Sequence, residues 1–301
     1  MRNSNCVTGA FSYSGKFIAK MLLEKNEKVI TLTNSTDRDN FFNNEIQKFP
    51  LNFNNLESIE KALSNAHTLY NTYWVRFNTK TITHKDAFNN TIKLFDAAKK
   101  AGVQKIIHIS ILNPDKNSSA DYYKYKALLE EYLFNLGVSY TILQPTIIFG
   151  EGDSLINNIA WTLRKFPILA IFDFGKAKLQ PISVLDLASL AVNHNPIENE
   201  IINANGPETY TYLELLKLIK KNIGSKNIFI PTPHLLAFLG IWTTGKILGD
   251  QILTYDEMKG LLANKLYSEK ISLGKCKLSE YIQENASKLG ISYINETKKR
   301  A

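Results

Sequence analysis

The sequence has few cysteines, only Cys6 and Cys276 among 301 residues. Two thiols cannot form the disulfide framework of a small secreted domain. Histidines are also few, five in all, and none stands at a spacing typical of metal ligands. We therefore expect neither structural disulfides nor a metal site. Cys6 lies inside a predicted strand and is expected to pack as a small apolar side chain.

Long hydrophobic runs are also missing. The longest apolar stretch, residues 234–248, is interrupted by two threonines and a lysine and is shorter than the ~20 residues that span a bilayer. It predicts a packed helix, with a contact to a membrane interface as the alternative. The first predicted strand begins at Ser4, which leaves no room for a signal peptide. The expectation is a cytoplasmic protein without an integral membrane segment.

Acidic residues are in deficit: 28 Asp and Glu stand against 36 Lys and Arg, a formal net charge of +8. The basic residues are scattered, and only residues 298–300 form a basic run. This pattern favours solvated lysines over a nucleic-acid surface, so no nucleic-acid partner is expected. The excess charge would still assist the approach of an anionic small molecule. The sequence contains no Gly-x-Ser-x-Gly elbow, which argues against a hydrolase.

Strand and helix patterns alternate through the first half of the chain. Such alternation indicates parallel strands joined by helices that cover both faces of one sheet, a doubly wound α/β fold. Helices are predicted at residues 56–64, 85–101 and 122–136. Strands are predicted at residues 4–8, 28–33, 47–51, 68–73, 105–110 and 140–143.

A glycine turn, TGAFSYSG at residues 8–15, follows the first predicted strand and opens a helix with one apolar face. Backbone N–H groups at a helix start, together with the helix dipole, favour bound phosphate. Gly9 would permit the tight turn, and Gly15 would let helix and strand pack closely. Ser12 stands where a third glycine is usual. The turn predicts a dinucleotide pyrophosphate site.

The pattern loosens after Pro145, which predicts a second lobe. Residues 151–178 contain two glycines and a proline and are interpreted as a loop-rich excursion. Residues 179–204 resume the strand and helix rhythm and are assigned back to the first domain, residues 1–150. The first domain is interpreted as cofactor-binding. Residues 151–178 and 205–301 are interpreted as a discontinuous, mostly helical substrate lobe.

Tyr122 and Lys126 stand at i and i+4 at the start of a predicted helix, so they share one face. A tyrosine beside a lysine is a plausible general acid, because the cation favours the phenolate. Ser110 ends the preceding predicted strand, where its hydroxyl can hold a substrate oxygen. The three residues suit hydride transfer to or from a nicotinamide. The alternative is a Tyr-rich and Lys-rich amphipathic helix, and a second match, Tyr255 with Lys259, lacks the serine-ended strand and is interpreted as a surface pair.

In this order, the motifs resemble those of short-chain dehydrogenases/reductases of the extended or atypical kind. Within that superfamily the chain is similar to the NmrA-like group and to relatives of the complex I 39-kDa subunit. The resemblance implies a Rossmann domain, a small C-terminal substrate lobe and a bound NAD(P), and many such proteins keep the cofactor but have lost catalysis. The matching segments are TGAFSYSG at 8–15, IIHIS at 106–110, YYKYK at 122–126, LQPTIIFGEGD at 143–153, QPISVLDLA at 180–188 and NGPETYTYLEL at 205–215.

The resemblance also implies roles for single residues. Lys126 would hold the nicotinamide ribose hydroxyls as well as tune Tyr122. The residues implied for the pyrophosphate loop are Gly9, Phe11, Ser12, Tyr13 and Gly15. The fourth strand would end beside the ribose and nicotinamide with Asn71, Thr72, Tyr73 and Trp74. The residues implied to close over the nicotinamide are Pro145, Thr146 and Ile147.

Departures from the family pattern bear on the substrate and on the cofactor. Gln144 replaces an arginine that often precedes the proline, and Asn52 replaces an acid common after the third strand, which puts sugar-nucleotide epimerisation in doubt. No carboxylate follows the second strand, where an NAD-binding acid is usual. Thr33, at the end of that strand, and Arg38 are candidate cofactor residues, with Arg38 facing a 2′-phosphate or lying solvated in a loop. NADP is therefore expected, with NAD as the alternative.

Three functions remain open for this chain. The first is an NAD(P)-dependent oxidoreductase acting on a small carbonyl or alcohol, with Tyr122 as acid/base. The second is an NAD(P)-binding redox sensor or assembly factor without turnover. The third is a sugar-nucleotide epimerase or dehydratase. A small-molecule substrate is expected, and the sequence does not indicate an oligomeric state.

Overall fold

The structure is a computed structural model that describes residues 4–34, 41–193 and 198–300, without the side chains of residues 299 and 300. The strands are β1 (Ser4–Thr8), β2 (Lys28–Thr33), β3 (Gln47–Pro50), β4 (Ala66–Asn71), β5 (Lys105–Ile109), β6 (Ser139–Pro145), β7 (Ile148–Phe149), β8 (Ile168–Phe172), β9 (Lys178–Leu179), β10 (Ile182–Ser183), β11 (Glu200–Ala204), β12 (Tyr210–Thr211) and β13 (Ile228–Thr232). The helices are α1 (Tyr13–Glu24), α2 (Leu56–Leu63), α3 (His84–Lys100), α4 (Asp121–Asn135), α5 (Leu155–Lys165), α6 (Val184–Val192), α7 (Tyr212–Asn222), α8 (His234–Leu248), α9 (Tyr255–Leu262), α10 (Leu278–Asn285) and α11 (Glu296–Arg300).

Seven of the described strands form one parallel sheet in the order β11-β6-β5-β4-β1-β2-β3. The chain runs outward in one direction from β1 to β3 and in the other from β4 to β11. The carboxyl ends of β1 and β4 therefore face the crevice at the switch point, where doubly wound sheets bind ligands. The predicted Rossmann-type α/β fold is confirmed.

The core lies where the sheet meets its helices. All five residues of β1 are buried, as expected for a central parallel strand that is covered on both faces. Cys6 packs in this core, and burial raises the pKa of its thiol to about 12, so the side chain stays neutral as predicted. Helix α1 packs against α6, and α3 packs against both α2 and α4. The ends of α3 follow their sequence signals, a capping box formed by Thr83 with Asp86 and a turn through Gly102 with φ +74°.

The chain divides into two compact units, Met1–Pro145 with Val184–Ala204 and Thr146–Ser183 with Asn205–Ala301. The first unit holds the seven-stranded sheet. The second has its own apolar core, built from α5, α7 and α10 together with small strand pairs such as parallel β8 and β13. The assignment of the units as cofactor domain and substrate lobe stays a prediction.

The prediction of a loop-rich excursion at residues 151–178 is wrong, because the segment contains α5 and β8. In α5, Ile156, Ala160 and Leu163 are buried at helical spacing. The Asp153 carboxylate accepts from the backbone N–H groups of Leu155 and Ile156, at 2.8 and 3.1 Å, and so supports the start of the helix. The glycines and the proline that suggested a loop flank these elements.

Some strand ends also differ from the prediction. Strand β4 ends at Asn71 rather than at residue 73, because Thr8 and Asn71 side chains accept hydrogen bonds from the backbone beyond it. Strand β5 ends at Ile109, so Ser110 follows the strand. Strand β6 continues to Pro145, whereas the prediction stopped at residue 143. None of the described helices is long and apolar enough to cross a bilayer.

Candidate functional site

The turn between β1 and α1 is closed by Gly9 and Gly15. Gly9 has φ +64°, which glycine adopts without strain. Its carbonyl accepts from Ser12 N at 2.8 Å and from Ser12 Oγ at 2.6 Å. A Cβ on Gly15 would lie 2.2 Å from that same carbonyl oxygen. Gly9 therefore has the tight-turn role that the sequence predicts, and Gly15 leaves room for the Gly9 carbonyl within the turn.

The start of α1 is favourable for an anion. Ser12 is the N-cap residue, but its hydroxyl turns back to Gly9, and no described side chain caps the helix there. The first turn contains no acidic residue. Thr31 fixes the turn from the neighbouring strand, because its Oγ1 accepts from Ala10 N at 3.1 Å and donates to Val7 O at 2.7 Å. Backbone N–H groups and the positive dipole end are thus available for phosphate.

Aromatic and basic side chains surround the same turn. The Phe11 ring lies 5.9 Å from the Phe42 ring, and Lys48 Nζ lies 5.0 Å from the Phe11 centroid. Tyr13 packs its ring edge-to-face on Phe17, at 6.1 Å. Lys48 was not anticipated from the sequence, where nothing connects it with the turn.

The sequence also predicts cofactor residues at the ends of β2 and β4, and the structure describes all of these except Arg38. Thr33 is buried, and its carbonyl accepts from Leu51 N at 3.0 Å. Thr8 Oγ1 accepts from the N–H groups of Thr72 and Tyr73, at 2.8 and 3.1 Å. These bonds tie the end of β4 to the residue before the glycine turn. Arg38 lies outside the described residues.

A buried polar network continues from Asn71 into the sheet. Asn71 Oδ1 accepts from Tyr73 N at 3.2 Å, so its Nδ2 donates to His108 Nδ1 at 3.0 Å. The proton of His108 must then be on Nε2. Burial lowers the pKa of His108 well below its usual value, with a smaller contribution from Lys126. His108 is thus a packed, neutral histidine.

Tyr122 lies in an aromatic cluster. Its ring meets His84 at 5.5 Å and Trp74 at 6.4 Å, both edge-to-face. The rings of Trp74 and His84 are parallel within 3°, with centroids 6.0 Å apart. The Trp74 indole Nε1 is buried and has no hydrogen-bond partner among the described residues. Trp74 follows β4 and Tyr122 begins α4, so the fold brings these predicted residues together.

Lys126 is deeply buried, with 2% of its surface exposed. Its ammonium donates to the Ile109 carbonyl at 2.7 Å and lies 4.5 Å from the Trp74 ring centroid. Burial lowers the pKa of Lys126 to about 7, against an opposing effect of the Glu130 carboxylate. The lysine therefore sits between the end of β5 and the aromatic cluster of Tyr122.

Glu130 is a buried residue of this site that the sequence analysis missed. It accepts hydrogen bonds from Ser110 Oγ and, at 2.9 and 3.1 Å, from Gln144 Nε2. Burial raises the pKa of its carboxyl, while Ser110, Gln144 and Lys126 oppose the rise. The i, i+4 spacing to Lys126 was the available signal. Ser110 thus donates its hydroxyl to Glu130.

The segment predicted to close over the nicotinamide, residues 145–147, is divided between the two units. Pro145 ends β6, and its carbonyl accepts from Leu112 N at 2.9 Å. In the second unit, Thr146 Oγ1 donates to Gln180 O, and the Ile147 carbonyl accepts from Ile182 N at 2.8 Å.

The second Tyr-x-x-x-Lys match lies on α9 in the other unit. Lys259 Nζ lies 4.7 Å above the ring of exposed Tyr255. Lys259 is only partly buried, in contrast to Lys126 of the first match. Tyr255 and Lys259 are therefore the surface pair that the sequence predicts.

The first half of the chain is similar to known NAD(P)H-binding proteins. A family model described as NAD(P)H-binding matches residues 9–157. With the sheet order and the glycine turn, this match supports the predicted resemblance to the extended and atypical short-chain dehydrogenases/reductases.

Among curated proteins, the chain is similar to NADH dehydrogenase [ubiquinone] 1 alpha subcomplex subunit 9, mitochondrial. The Dictyostelium discoideum protein is 27% identical over 250 residues, 76% of this chain and 69% of that protein. The Mus musculus protein is 29% identical over 198 residues, 64% of this chain and 51% of that protein. The chain thus spans between half and about two thirds of the length of these relatives.

Solved structures share the fold. A triphenylmethane reductase from Citrobacter sp. aligns with TM-score 0.77 and 15% identity, over 94% of this chain and 99% of that one. The same reductase has been solved in complex with NADP(H). A nucleoside-diphosphate-sugar epimerase from Staphylococcus aureus aligns with TM-score 0.74 and 17% identity, over 93% and 99% of the two chains.

Proposed function

We propose that the chain is an NAD(P)H-dependent oxidoreductase that interconverts a small carbonyl compound and its alcohol. The placement of Lys126 carries the proposal: a fully buried ammonium stands at the carboxyl end of β5, beside the cluster that contains Tyr122. Burying a charge is costly, and such groups concentrate at functional sites. The other Tyr-x-x-x-Lys match has no such burial.

The residues of the first unit fit a dinucleotide. Gly9 and Gly15 shape a turn that no larger side chain permits, and the start of α1 carries no capping side chain among the described residues. The buried Nε1 of Trp74, which has no partner within the described part of the chain, adds a donor after the end of β4. The turn would hold the pyrophosphate, and Thr72 and Tyr73 would lie beside the ribose and nicotinamide.

The proposed chemistry divides between the cofactor and Tyr122. A bound nicotinamide would supply or accept the hydride. Tyr122 would give its phenolic proton to the carbonyl oxygen, and the positive charge of Lys126 favours the phenolate that remains. Because burial brings the pKa of Lys126 to about 7, the lysine can itself exchange a proton near neutral pH.

We further propose that NADP is preferred over NAD. The end of β2, Thr33 with Asn34, offers no carboxylate for a free ribose hydroxyl. Lys48 stands over Phe11 beside the turn, and together with Arg38 it would supply the positive charge that a 2′-phosphate requires. Tighter binding of NADH than of NADPH would contradict this preference.

A second candidate is a cofactor-binding protein without turnover. The observation that favours it is the bond from Ser110 to Glu130, which occupies the hydroxyl that a reductase would use on its substrate. The curated relatives carry the name of a complex I subunit. For the second candidate we therefore favour a role as an assembly factor. Those names also place the relatives in mitochondria, and the cytoplasmic location stays a prediction.

Turnover of NADPH separates the two candidates. We expect the wild type to bind NADPH, measured by fluorescence, and to oxidise it with members of a carbonyl panel. Tyr122→Phe should keep the affinity and lose most of the turnover, since general acid catalysis contributes typically 10²–10⁴-fold. Tyr125→Phe, on the same helix, is the matched control and should retain activity. Tight binding of NADPH without turnover by the wild type would overturn the proposed oxidoreductase activity and support the second candidate.

A further inference from the structure

Helix α8 of the second unit is apolar on nearly all sides, yet it is poorly buried. In its sequence, HLLAFLGIWTTGKIL, only Ala237 and Gly245 are buried. A helix that is apolar all round normally lies inside a protein core or against lipid. The exposed side of α8 therefore needs an explanation other than its packing in this unit.

The two sides of α8 have different surroundings. On the inner side, Ala237 and Ile241 join the core of the second unit, and Phe238 meets Tyr255 at 5.7 Å. On the outer side, large apolar side chains are exposed at positions that a helix places along one arc. We call this surface the α8 face, and its residues are Leu235, Leu236, Leu239, Trp242 and Ile247.

The charge of the surrounding sequence is one-sided. Residues 215–249 contain five lysines and no aspartate or glutamate. One of the lysines, Lys246, is an exposed residue of α8, and its Nζ lies 5.4 Å from the Trp242 ring centroid. Lys246 lies in the last turn of α8, on the same arc as Leu235 and Leu239, and a long lysine side chain can extend along apolar surface to place its ammonium at the headgroups of a membrane interface.

We propose that the α8 face docks the protein on an anionic phospholipid surface. The helix would lie in the plane of the interface, with the apolar side chains of the face among the acyl chains and Lys246 at the headgroups. None of the described helices is long and apolar enough to span a bilayer, so the contact is peripheral. The absence of acidic residues from 215–249 fits an anionic surface. The proposal is independent of cofactor binding and of turnover.

Sedimentation with phospholipid vesicles tests the proposal with the full chain. We expect the wild type to bind phosphatidylcholine vesicles that contain phosphatidylglycerol, and to be released by high salt. The double variant Leu239→Gln/Ile247→Gln should bind at least about tenfold more weakly, since it removes apolar area from the contact. Both positions are exposed, so the variant should keep the circular dichroism spectrum and the NADPH affinity of the wild type.

The matched control is Ile271→Gln. Ile271 is as exposed as Ile247, at 88% against 85%, but it lies outside α8. It should bind vesicles as the wild type does. Equal binding by the double variant, or no binding of the wild type to anionic vesicles, would overturn the proposal. A wild-type dimer in analytical ultracentrifugation that the double variant abolishes, without vesicle binding, would show that a second copy covers the face instead.

Discussion

At the scale of single residues, the site depends on a lysine held in unfavourable surroundings. Lys126 keeps its ammonium among Trp74, Ile109 and the carboxylate of Glu130, away from water. The sequence predicted the lysine and its distance from Tyr122 along the helix. It could not predict the degree of burial, because that depends on side chains from β4 and β5, which are distant in sequence.

The protonation of Lys126 should appear in the stability of the fold. Its pKa falls from 10.5 in the unfolded chain to about 7 in the folded one. Between these values the unfolded chain holds a proton that the folded chain lacks, so raising the pH stabilises the fold. We expect the unfolding free energy of the wild type to rise relative to that of Lys126→Met between pH 7 and pH 9, by up to ~1.4 kcal/mol per pH unit.

Urea denaturation of both proteins at pH 7, 8 and 9 measures this difference. Lys124→Met, on the same helix but only partly buried, is the control, and its difference from the wild type should stay flat. If the unfolding free energy of the wild type minus that of Lys126→Met is constant or falls as the pH rises, the lowered pKa of Lys126 is refuted.

At the scale of elements, α4 is joined to β5 and β6 through one carboxylate. Glu130 on the helix accepts from Ser110, which follows β5, and from Gln144 on β6. The strands and helices of the first unit were predictable, since each shows its own apolar period and turn signals. The hydrogen bonds that join α4 to the strands were not predictable. The sequence shows Gln144 only as a departure from the family pattern and does not indicate that its partner is Glu130.

Removing the Glu130 carboxylate should weaken this junction. Glu130→Ala leaves two donors, the buried Ser110 Oγ and the partly buried Gln144 Nε2, without their acceptor, which costs ~1–3 kcal/mol of unfolding free energy. Glu131→Ala is the matched control: Glu131 is exposed and forms an ion pair with exposed Lys116, at 3.6 Å, and its loss should cost about 0.5 kcal/mol or less. Equal losses for the two variants would show that the bonds of Glu130 add no stability.

At the scale of the whole molecule, the topology of the sheet was more predictable than the secondary structure and exposed surface of the second unit. Alternating strand and helix patterns leave few topologies open, because crossovers are right-handed and connections short. In residues 151–178, glycine and proline suggested a loop, although helical spacing at Ile156, Ala160 and Leu163 was present. The exposed side of α8 was equally unpredictable, since an apolar helix gives no sign of which side it buries.

The central claim is that a dinucleotide binds the first unit at the start of α1. Calorimetric titration of NADPH into the wild type, Ser14→Asp and Ser58→Asp tests it most directly. Ser14 lies in the first turn of α1 and Ser58 in the first turn of α2. Each added carboxylate should favour its helix by ~0.3–1 kcal/mol, so both variants should remain folded.

Only the carboxylate at Ser14 would meet the phosphates. We predict saturable binding of NADPH to the wild type and to Ser58→Asp, and at least about tenfold weaker binding to Ser14→Asp, from like-charge repulsion at the phosphate site. Equal affinity of all three proteins, or no binding by the wild type, would contradict the account.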